Sequence, residues 1–316
     1  MPKKKSTILI YIEFIFMYSW VMAYRILPKR LAYCYSDFVA WLFFVFDPKH
    51  RNRVIEHLMF AGVCTDRKEA KKMARENFRQ FGYLIVEMLK TKQLITPETI
   101  SDYVSFAGSQ KSIDMFFESE NPTNAIVLTA HYGNWELAGM IYTLNSGHHL
   151  LSVMRLFDNP LIGKMIASQR VGFDHSLCPK DGALKQLLKA LRKGDSVSIV
   201  VDQHAGRSEG VETTFFGKAA RTHASPAMLH LKTGVPILVG ITKRIGVFKF
   251  KVFVADPIIM KPTDDKEGDI QKLTQEYTTA LEKLIRDNGP EQWLWAHRRW
   301  LDMRKKTVRA SPKKNG

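Results

Sequence analysis

From about residue 105 onward, short apolar runs alternate with segments of helical periodicity. Residues 125–129 (AIVLT) read as a buried strand, 135–144 as a helix and 150–154 as a strand again. Leu184, Leu187, Leu188 and Leu191 mark a helix closed by Gly194. A strand at 197–201, a helix at 224–233 and a strand at 235–242 continue the pattern. Residues 248–254 alternate apolar and polar and fit an edge or antiparallel strand; 270–285 form a last amphipathic helix. Helices interleaved with strands call for crossover connections. The fold class is therefore α/β: a mixed central sheet flanked by helices, spanning 101–302.

The first hundred residues differ. Residues 66–90 read as one helix opened by an Asp66/Glu69 capping box, with Ala70, Met73, Ala74, Phe78, Phe81, Leu84, Ile85 and Met88 at three-to-four spacing. Ahead of it, Lys3, Lys4 and Lys5 precede an apolar stretch at 7–24, and Arg25, Lys29 and Arg30 follow it. At about 1.5 Å per residue the stretch just reaches across a bilayer core. Glu13 interrupts it, at a cost of about 2–3 kcal/mol if deeply inserted. It is long for a signal peptide and no small-residue cleavage site follows. The expectation is an uncleaved anchor, spanning or lying in the interface, over 1–30, then a helical membrane-proximal region over 31–100. Residues 38–46 (FVAWLFFVF) are apolar but too short to span. Residues 303–316 form a basic tail.

Charge narrows the partners. Lys and Arg total 47 against 31 Asp and Glu, a net charge of +16. That excess suits an anionic partner: a phospholipid surface, an acidic carrier protein or nucleic acid. Cys34, Cys64 and Cys178 form no CxxC pattern and read as reduced thiols, and no histidine pair has metal spacing, so neither a metal nor another cofactor is called for.

The residues with chemistry begin at Thr129-Ala130-His131-Tyr132-Gly133-Asn134-Trp135-Glu136. An apolar strand runs into His131, and Gly133 and Asn134 suit a tight turn into a helix. Glu136 then falls in the first helical turn, where its carboxylate can fold back on the imidazole. The free ring nitrogen can take a proton from a hydroxyl.

This box resembles the H-x4-[DE] box of the bacterial lipid A biosynthesis acyltransferases, the late acylation enzymes of lipopolysaccharide. Further segments follow in the family's order: Arg155 with Asn159 and Pro160 (MRLFDNP), Val201-Asp202-Gln203, Phe215-Phe216-Gly217 with Arg221-Thr222, and the closing Pro290-Glu291-Gln292-Trp293-Leu294-Trp295-Ala296-His297-Arg298-Arg299-Trp300. They cover about 50–300. His57-Leu58 stands where the family usually has Asn-Leu, and Ala130 and Glu136 depart from the Asn and Asp of the related glycerolipid acyltransferases.

The resemblance implies acyl transfer from a thioester, on acyl carrier protein or CoA, to a hydroxyl of a membrane lipid, with lipid A precursor as the foremost acceptor. It implies a bacterial inner membrane location with the catalytic domain on the cytoplasmic face. His131 is the expected base and Glu136 its orienting partner. Arg155 and Arg221 are candidates for gripping phosphate; Asn159, Asp202, Gln203, Phe216 and Gly217 complete the expected substrate site. Another glycolipid, a lysophospholipid or an amino-acid lipid would use the same dyad. Hydrolysis is a rival chemistry, although no G-x-S-x-G elbow is present. Nucleic-acid binding is a rival class, but the cations are spread along the chain and the aromatics sit in apolar runs.

Overall fold

A computed structural model describes residues 6–154, 158–170 and 173–300. Lys3, Lys4, Lys5, Arg155 and the basic tail at 303–316 lie outside them. Four helices open the chain: α1 (Thr7–Ile26), α2 (Lys29–Phe46), α3 (Pro48–Phe60) and α4 (Arg67–Leu94). Local chemistry starts them. Ser6 caps α1, Asp47 caps α3, and Asp66 accepts from the N–H groups of Lys68 and Glu69 at 2.7 and 2.9 Å to cap α4. Glu69 reaches back to the N–H of Thr65 at 3.1 Å, so the acidic pair works at the helix start as its spacing suggests.

The short turn α5 (Ile100–Tyr103) leads into β1 (Val104–Gly108), and α6 (Gln110–Ile113) follows. The chain then alternates: β2 (Ile126–Thr129), α7 (Trp135–Ser146), β3 (Leu150–Met154), α8 (Pro160–Arg170), β4 (His175–Pro179), α9 (Ala183–Arg192) and β5 (Ser196–Val200). A hairpin, β6 (Gly210–Phe215) and β7 (Lys218–His223), precedes α10 (Ser225–Thr233), β8 (Ile237–Gly246), β9 (Lys249–Val254) and α11 (Lys266–Asp287).

Seven strands form one sheet in the order β1-β9-β8-β2-β5-β3-β4, with β6 and β7 paired apart from it. Only the β8–β9 pairing within the large sheet is antiparallel, so the sheet is mixed as expected. The edges are β1 and β4. Neither stands out in the sequence, because VSFAG and HSLCP mix small and polar residues into five positions.

Each face of the sheet carries its own core. Ile126, Leu128, Val197, Ile199, Val239, Leu187, Leu191, Ala227 and Leu273 pack together on the α9, α10 and α11 side. Ala125, Leu150, Leu238, Val252, Leu137, Met140 and Ile141 pack on the α7 side, and this cluster takes in Val21 and Tyr24 of α1 and Val86 and Leu89 of α4. The opening helices thus share both cores: α1 and the later part of α4 join the α7 side, while Phe44 of α2, Val54, Ile55 and Leu58 of α3, and Ala70 and Ala74 of α4 join the other.

The connection from β2 passes through α7 to β3 and leaves a gap that β5 later fills, with α9 on the opposite face. Such a reversal opens a crevice beyond the carboxyl ends of the strands. Register then aligns what lies there. Thr129 pairs with Val200, so His131 and Asp202 each stand two residues past a paired position on adjacent strands.

Helix α1 is the described helix long and apolar enough to cross a membrane. Glu13 does not stand alone on it: Asn159, at the start of α8, donates to its Oε2 at 3.0 Å and to the carbonyl of Ile10 at 3.0 Å. The opposite face of α1 presents Ile8, Ile12 and Ile15, all exposed, and α2 presents Phe38, Trp41, Phe43 and Phe46.

Candidate active site

The box turns sharply at Gly133, whose φ is +52° and where a Cβ would run into the Thr242 carbonyl. The turn is clamped from two directions. Asn134 N–H donates to the Thr242 carbonyl at 3.0 Å, and Gly133 N–H to the Gln292 carbonyl at 3.0 Å. Leu294 N–H donates to the His131 carbonyl at 2.9 Å, and the Tyr132 hydroxyl donates to the Asn288 carbonyl at 2.6 Å. The Asn134 side chain caps α7 by accepting from Leu137 N–H at 3.0 Å. The closing Pro290–Trp300 motif therefore holds the backbone of the box.

His131 is oriented by Asp202. The Asp202 carboxylate stands 2.8 Å from His131 Nδ1 and accepts the His131 backbone N–H at 3.0 Å. Trp293 donates its indole N–H to the same carboxylate at 2.8 Å. Burial alone would push the Asp202 carboxyl up. The charge of His131 and the hydrogen bonds from its ring, from the Trp293 indole and from the His131 N–H outweigh it and hold the group down at about 2. An ionised carboxylate on Nδ1 requires the proton there and makes Nε2 the acceptor atom of the ring. The Gln203 amide nitrogen lies 3.2 Å from Nε2. The His297 ring stands 5.5 Å from that of His131, and burial pushes its titration down.

The depressed Asp202 titration predicts an acid dependence. A carboxylate of lowered pKa stabilises the fold fully above its ordinary value and loses that contribution as pH falls through the folded value. The window here runs from about 3.8 down to about 2. Thermal melts across it are expected to fall more steeply for the parent protein than for Asp202→Asn; parallel curves would show that Asp202 adds no acid-sensitive stability.

His131, Trp135, Glu136 and Gln203 open onto one cavity of 1210 Å³. It straddles the carboxyl ends of β3 and β5. Met154, Leu177 and Val200 line it toward α7; Ile199, Leu184, Leu187 and Met228 line it toward α9 and α10. An apolar wall of this extent with one imidazole at its head suits a fatty chain placed next to a proton acceptor. Glu136 sits on the first turn of α7 in this wall, and the orienting contact on Nδ1 comes from Asp202.

The other expected site residues lie elsewhere. Asn159 caps α8, accepting from the N–H groups of Leu161 and Ile162, and ties it to α1. Phe216 and Gly217, with φ of 53° and 66°, make the two-residue turn between β6 and β7. The Phe216 ring stacks on Trp293 at 5.7 Å, behind the indole that holds Asp202. Arg221 bonds Glu212 at 2.9 Å across the same hairpin and the Gly210 carbonyl at 3.1 Å. These residues back the site; none of them lines the cavity. Arg155 falls outside the described residues.

Sequence reasoning missed the support beneath the box. Glu87 of α4 is fully buried and pairs with Arg244 of β8, whose Nη2 lies 2.6 Å from Oε2. The same carboxylate takes the Tyr33 hydroxyl, and the Asn134 amide at 2.9 Å. Desolvation works against the Arg244 charge, but Glu87 raises its pKa on balance. Gln292 bonds both the N–H and the carbonyl of Arg244 at 2.9 Å. The legible signal was an acid three residues beyond Leu84, on the buried stripe of α4. His57, the departure in α3, meets the Trp295 carbonyl through Nδ1 at 2.8 Å and so braces the closing motif.

Comparison with known proteins agrees with this architecture. The profile of the bacterial lipid A biosynthesis acyltransferases matches residues 1–302. A lipid A biosynthesis palmitoleoyltransferase of Escherichia coli (strain K12) is 22% identical over 245 residues, 74% of this chain and 72% of that protein. A lipid A biosynthesis acyltransferase of Shigella flexneri matches to the same extent, 22% over 245 residues. A phosphatidylinositol mannoside acyltransferase of Mycobacterium tuberculosis (strain CDC 1551 / Oshkosh) is 27% identical over 183 residues, 56% of this chain and 54% of that protein. With a match that runs through both the opening helices and the sheet, the chain belongs to the bacterial lipid A biosynthesis acyltransferase family and is an acyltransferase acting on a glycolipid.

Proposed function

We propose that the protein moves a fatty acyl group from a thioester, on acyl carrier protein or CoA, to a hydroxyl of a lipid A precursor. The observation that carries this is the Asp202–His131 pair at the head of a cavity with a long apolar stretch in its wall. His131 Nε2 takes the hydroxyl proton while Asp202 supports the charge that forms on the ring. The hydroxyl oxygen bonds to the thioester carbon, the tetrahedral intermediate collapses, and the C–S bond breaks. The imidazolium returns the proton to the departing thiolate, so atoms and charge balance and no covalent enzyme intermediate forms. Glu136, on the cavity wall, borders the reacting groups and is assigned to holding the acceptor hydroxyl or the ring beside it.

Mass spectrometry of total lipids from a strain lacking the gene, before and after complementation, tests the acceptor. The expected result is a lipid A fraction short of one acyl chain and restored by the parent gene but not by Asp202→Asn. A missing chain on a phospholipid, or an unchanged lipid A, would overturn the assignment. The similarity to a phosphatidylinositol mannoside acyltransferase favours a second reading, another glycolipid acceptor with the same dyad; the missing chain would then appear on that lipid.

We further propose that the outer faces of α1 and α2 lie against the cytoplasmic side of the inner membrane. Exposed Ile8, Ile12 and Ile15 form one stripe at four- and three-residue spacing, while Val21 and Tyr24 are core. Replacing the three isoleucines with serine is expected to release the protein from membranes at high salt without lowering its melting temperature. Full sedimentation of the variant with membranes would refute this face.

A further inference from the structure

We propose that the groove between α2 and α4 is a headgroup site for an aminophospholipid, taking its phosphate on Lys72 and Arg75 and its primary ammonium on Glu291. The site lies outside the acyl-transfer chemistry and rests on the placement of α1 and α2 against the membrane.

The groove has a volume of 740 Å³ and shares no lining residue with the cavity in front of His131. Asp37 and Trp41 of α2 line it on one side, and Lys72, Arg75 and Arg79 of α4 on the other. Glu291, from the turn that opens the closing motif, lines it as well.

Most of the charges there are already matched. Arg79 donates to Asp37 at 2.9 Å, to Glu76 at 2.7 Å and to the Tyr83 hydroxyl at 2.7 Å. Glu69 is taken up by the N–H of Thr65. Three groups are left over. Lys72 and Arg75 are exposed, Glu291 is half-buried, and among the described residues no ion pair engages any of them. Burial pushes the Glu291 carboxyl up and Glu76 adds to the push; its own backbone N–H and the charge of Lys243 offset only part of it. A simple anion in the groove would face Glu291, Glu69 and Glu76, and a simple cation would face Lys72 and Arg75. A ligand with both charges on a short arm satisfies both sides.

Asn77 sets the spacing. Its amide donates to the carbonyls of Glu291 at 2.6 Å and Trp293 at 2.7 Å, so Glu291 stands level with Asn77 on α4. Arg75 and Lys72 come two and five residues earlier, roughly 3 and 7.5 Å along the helix axis. The two-carbon arm between the phosphate and the ammonium of an ethanolamine headgroup suits a gap of that order.

Trp41 sets the depth. It is 43% exposed and stacks on exposed Phe38, on the helix that also presents Phe43 and Phe46. An indole at the edge of such an apolar face belongs at the level of the lipid headgroups. The groove that it walls then opens among phosphates and ammonium groups. A primary ammonium has three N–H donors for Glu291, and the trimethylammonium of a choline headgroup has none. Both headgroups are neutral overall. A preference between them is therefore independent of the general attraction of a +16 chain to anionic surfaces.

The test is flotation of the full chain with vesicles of phosphatidylcholine and a fixed minor share of phosphatidylglycerol, with and without phosphatidylethanolamine in place of part of the phosphatidylcholine. The ethanolamine lipid is expected to raise the apparent affinity about fivefold. Glu291→Gln and, separately, Lys72→Gln/Arg75→Gln should lose that gain, read as the ratio between the two vesicles for each variant. Melts check that both are folded, and the second changes exposed positions of α4 alone. Soluble glycerophosphoethanolamine should abolish the gain and glycerophosphocholine should not. Equal affinity of the parent protein for the two vesicles overturns the site. A gain that persists in both variants also overturns it and assigns the effect to bilayer packing. If no vesicle is bound, calorimetry on the detergent-solubilised protein decides: glycerophosphoethanolamine bound by the parent and not by the variants would refute the membrane placement and leave the site standing, whereas no binding overturns the site.

Discussion

His131→Ala is expected to lower the acyl-transfer rate by about 10²–10⁴, because it removes the group proposed to take the hydroxyl proton. Asp202→Asn keeps the shape and a hydrogen-bonding group at Nδ1, but it removes the charge and allows the wrong ring tautomer. Its loss should approach that of His131→Ala. The double variant should then be little worse than His131→Ala alone, since both changes break one proton transfer. Glu136→Gln is the informative contrast. If Glu136 meets the acceptor, its loss should appear largely in KM for the lipid and combine multiplicatively with Asp202→Asn. Rates measured with saturating donor, beside thermal melts, decide the matter. Near-normal turnover by folded His131→Ala protein would sink the mechanism. A Glu136→Gln loss that vanishes in the His131→Ala background would instead return Glu136 to the proton-transfer unit.

Arg244→Met is expected to destabilise the fold by about 3–5 kcal/mol, because it leaves the Glu87 carboxylate buried without its cation. Glu87→Gln/Arg244→Met should be less damaging than Arg244→Met, since no uncompensated charge then remains. The pair also supports the box through the Asn134 amide and through Gln292. Activity should therefore fall in the double variant even where stability recovers. Denaturant unfolding of the three proteins measures the first effect and specific activity of the folded fraction the second. Equal stability of Arg244→Met and the double variant would show that the buried carboxylate is not what makes the single change costly.

Much of the sheet was legible because its inner strands are apolar on both faces and bounded by turn residues. The runs at 125–129, 197–201 and 235–242 correspond to β2, β5 and β8. The edge strands β1 and β4 were not, since a half-covered strand of five mixed residues carries no strong period. The box and Asp202 were both visible as segments. Their contact was not, because it depends on the pairing of Thr129 with Val200 across 71 residues of chain. Glu136 is the nearer acid in sequence, and spacing along the chain does not show that Asp202 reaches the ring as well. Trp293 is core, at 1% exposure, yet its one polar atom serves Asp202. Phe216, Gly217 and Arg221 attracted attention as motif residues. Their work is to build the hairpin behind that tryptophan, which no spacing along the chain reveals.

The pairing of Thr129 with Val200 bears on how the centre comes and goes. His131 and Asp202 hang from adjacent inner strands, with the Val201 N–H bonded to the Thr129 carbonyl at 3.1 Å just before them. Separating them means parting the middle of the sheet. The contact between His131 and Asp202 is therefore tied to the pairing of the two central strands. Amide exchange at His131, whose N–H is bonded to Asp202, should report the global unfolding free energy and not a local opening.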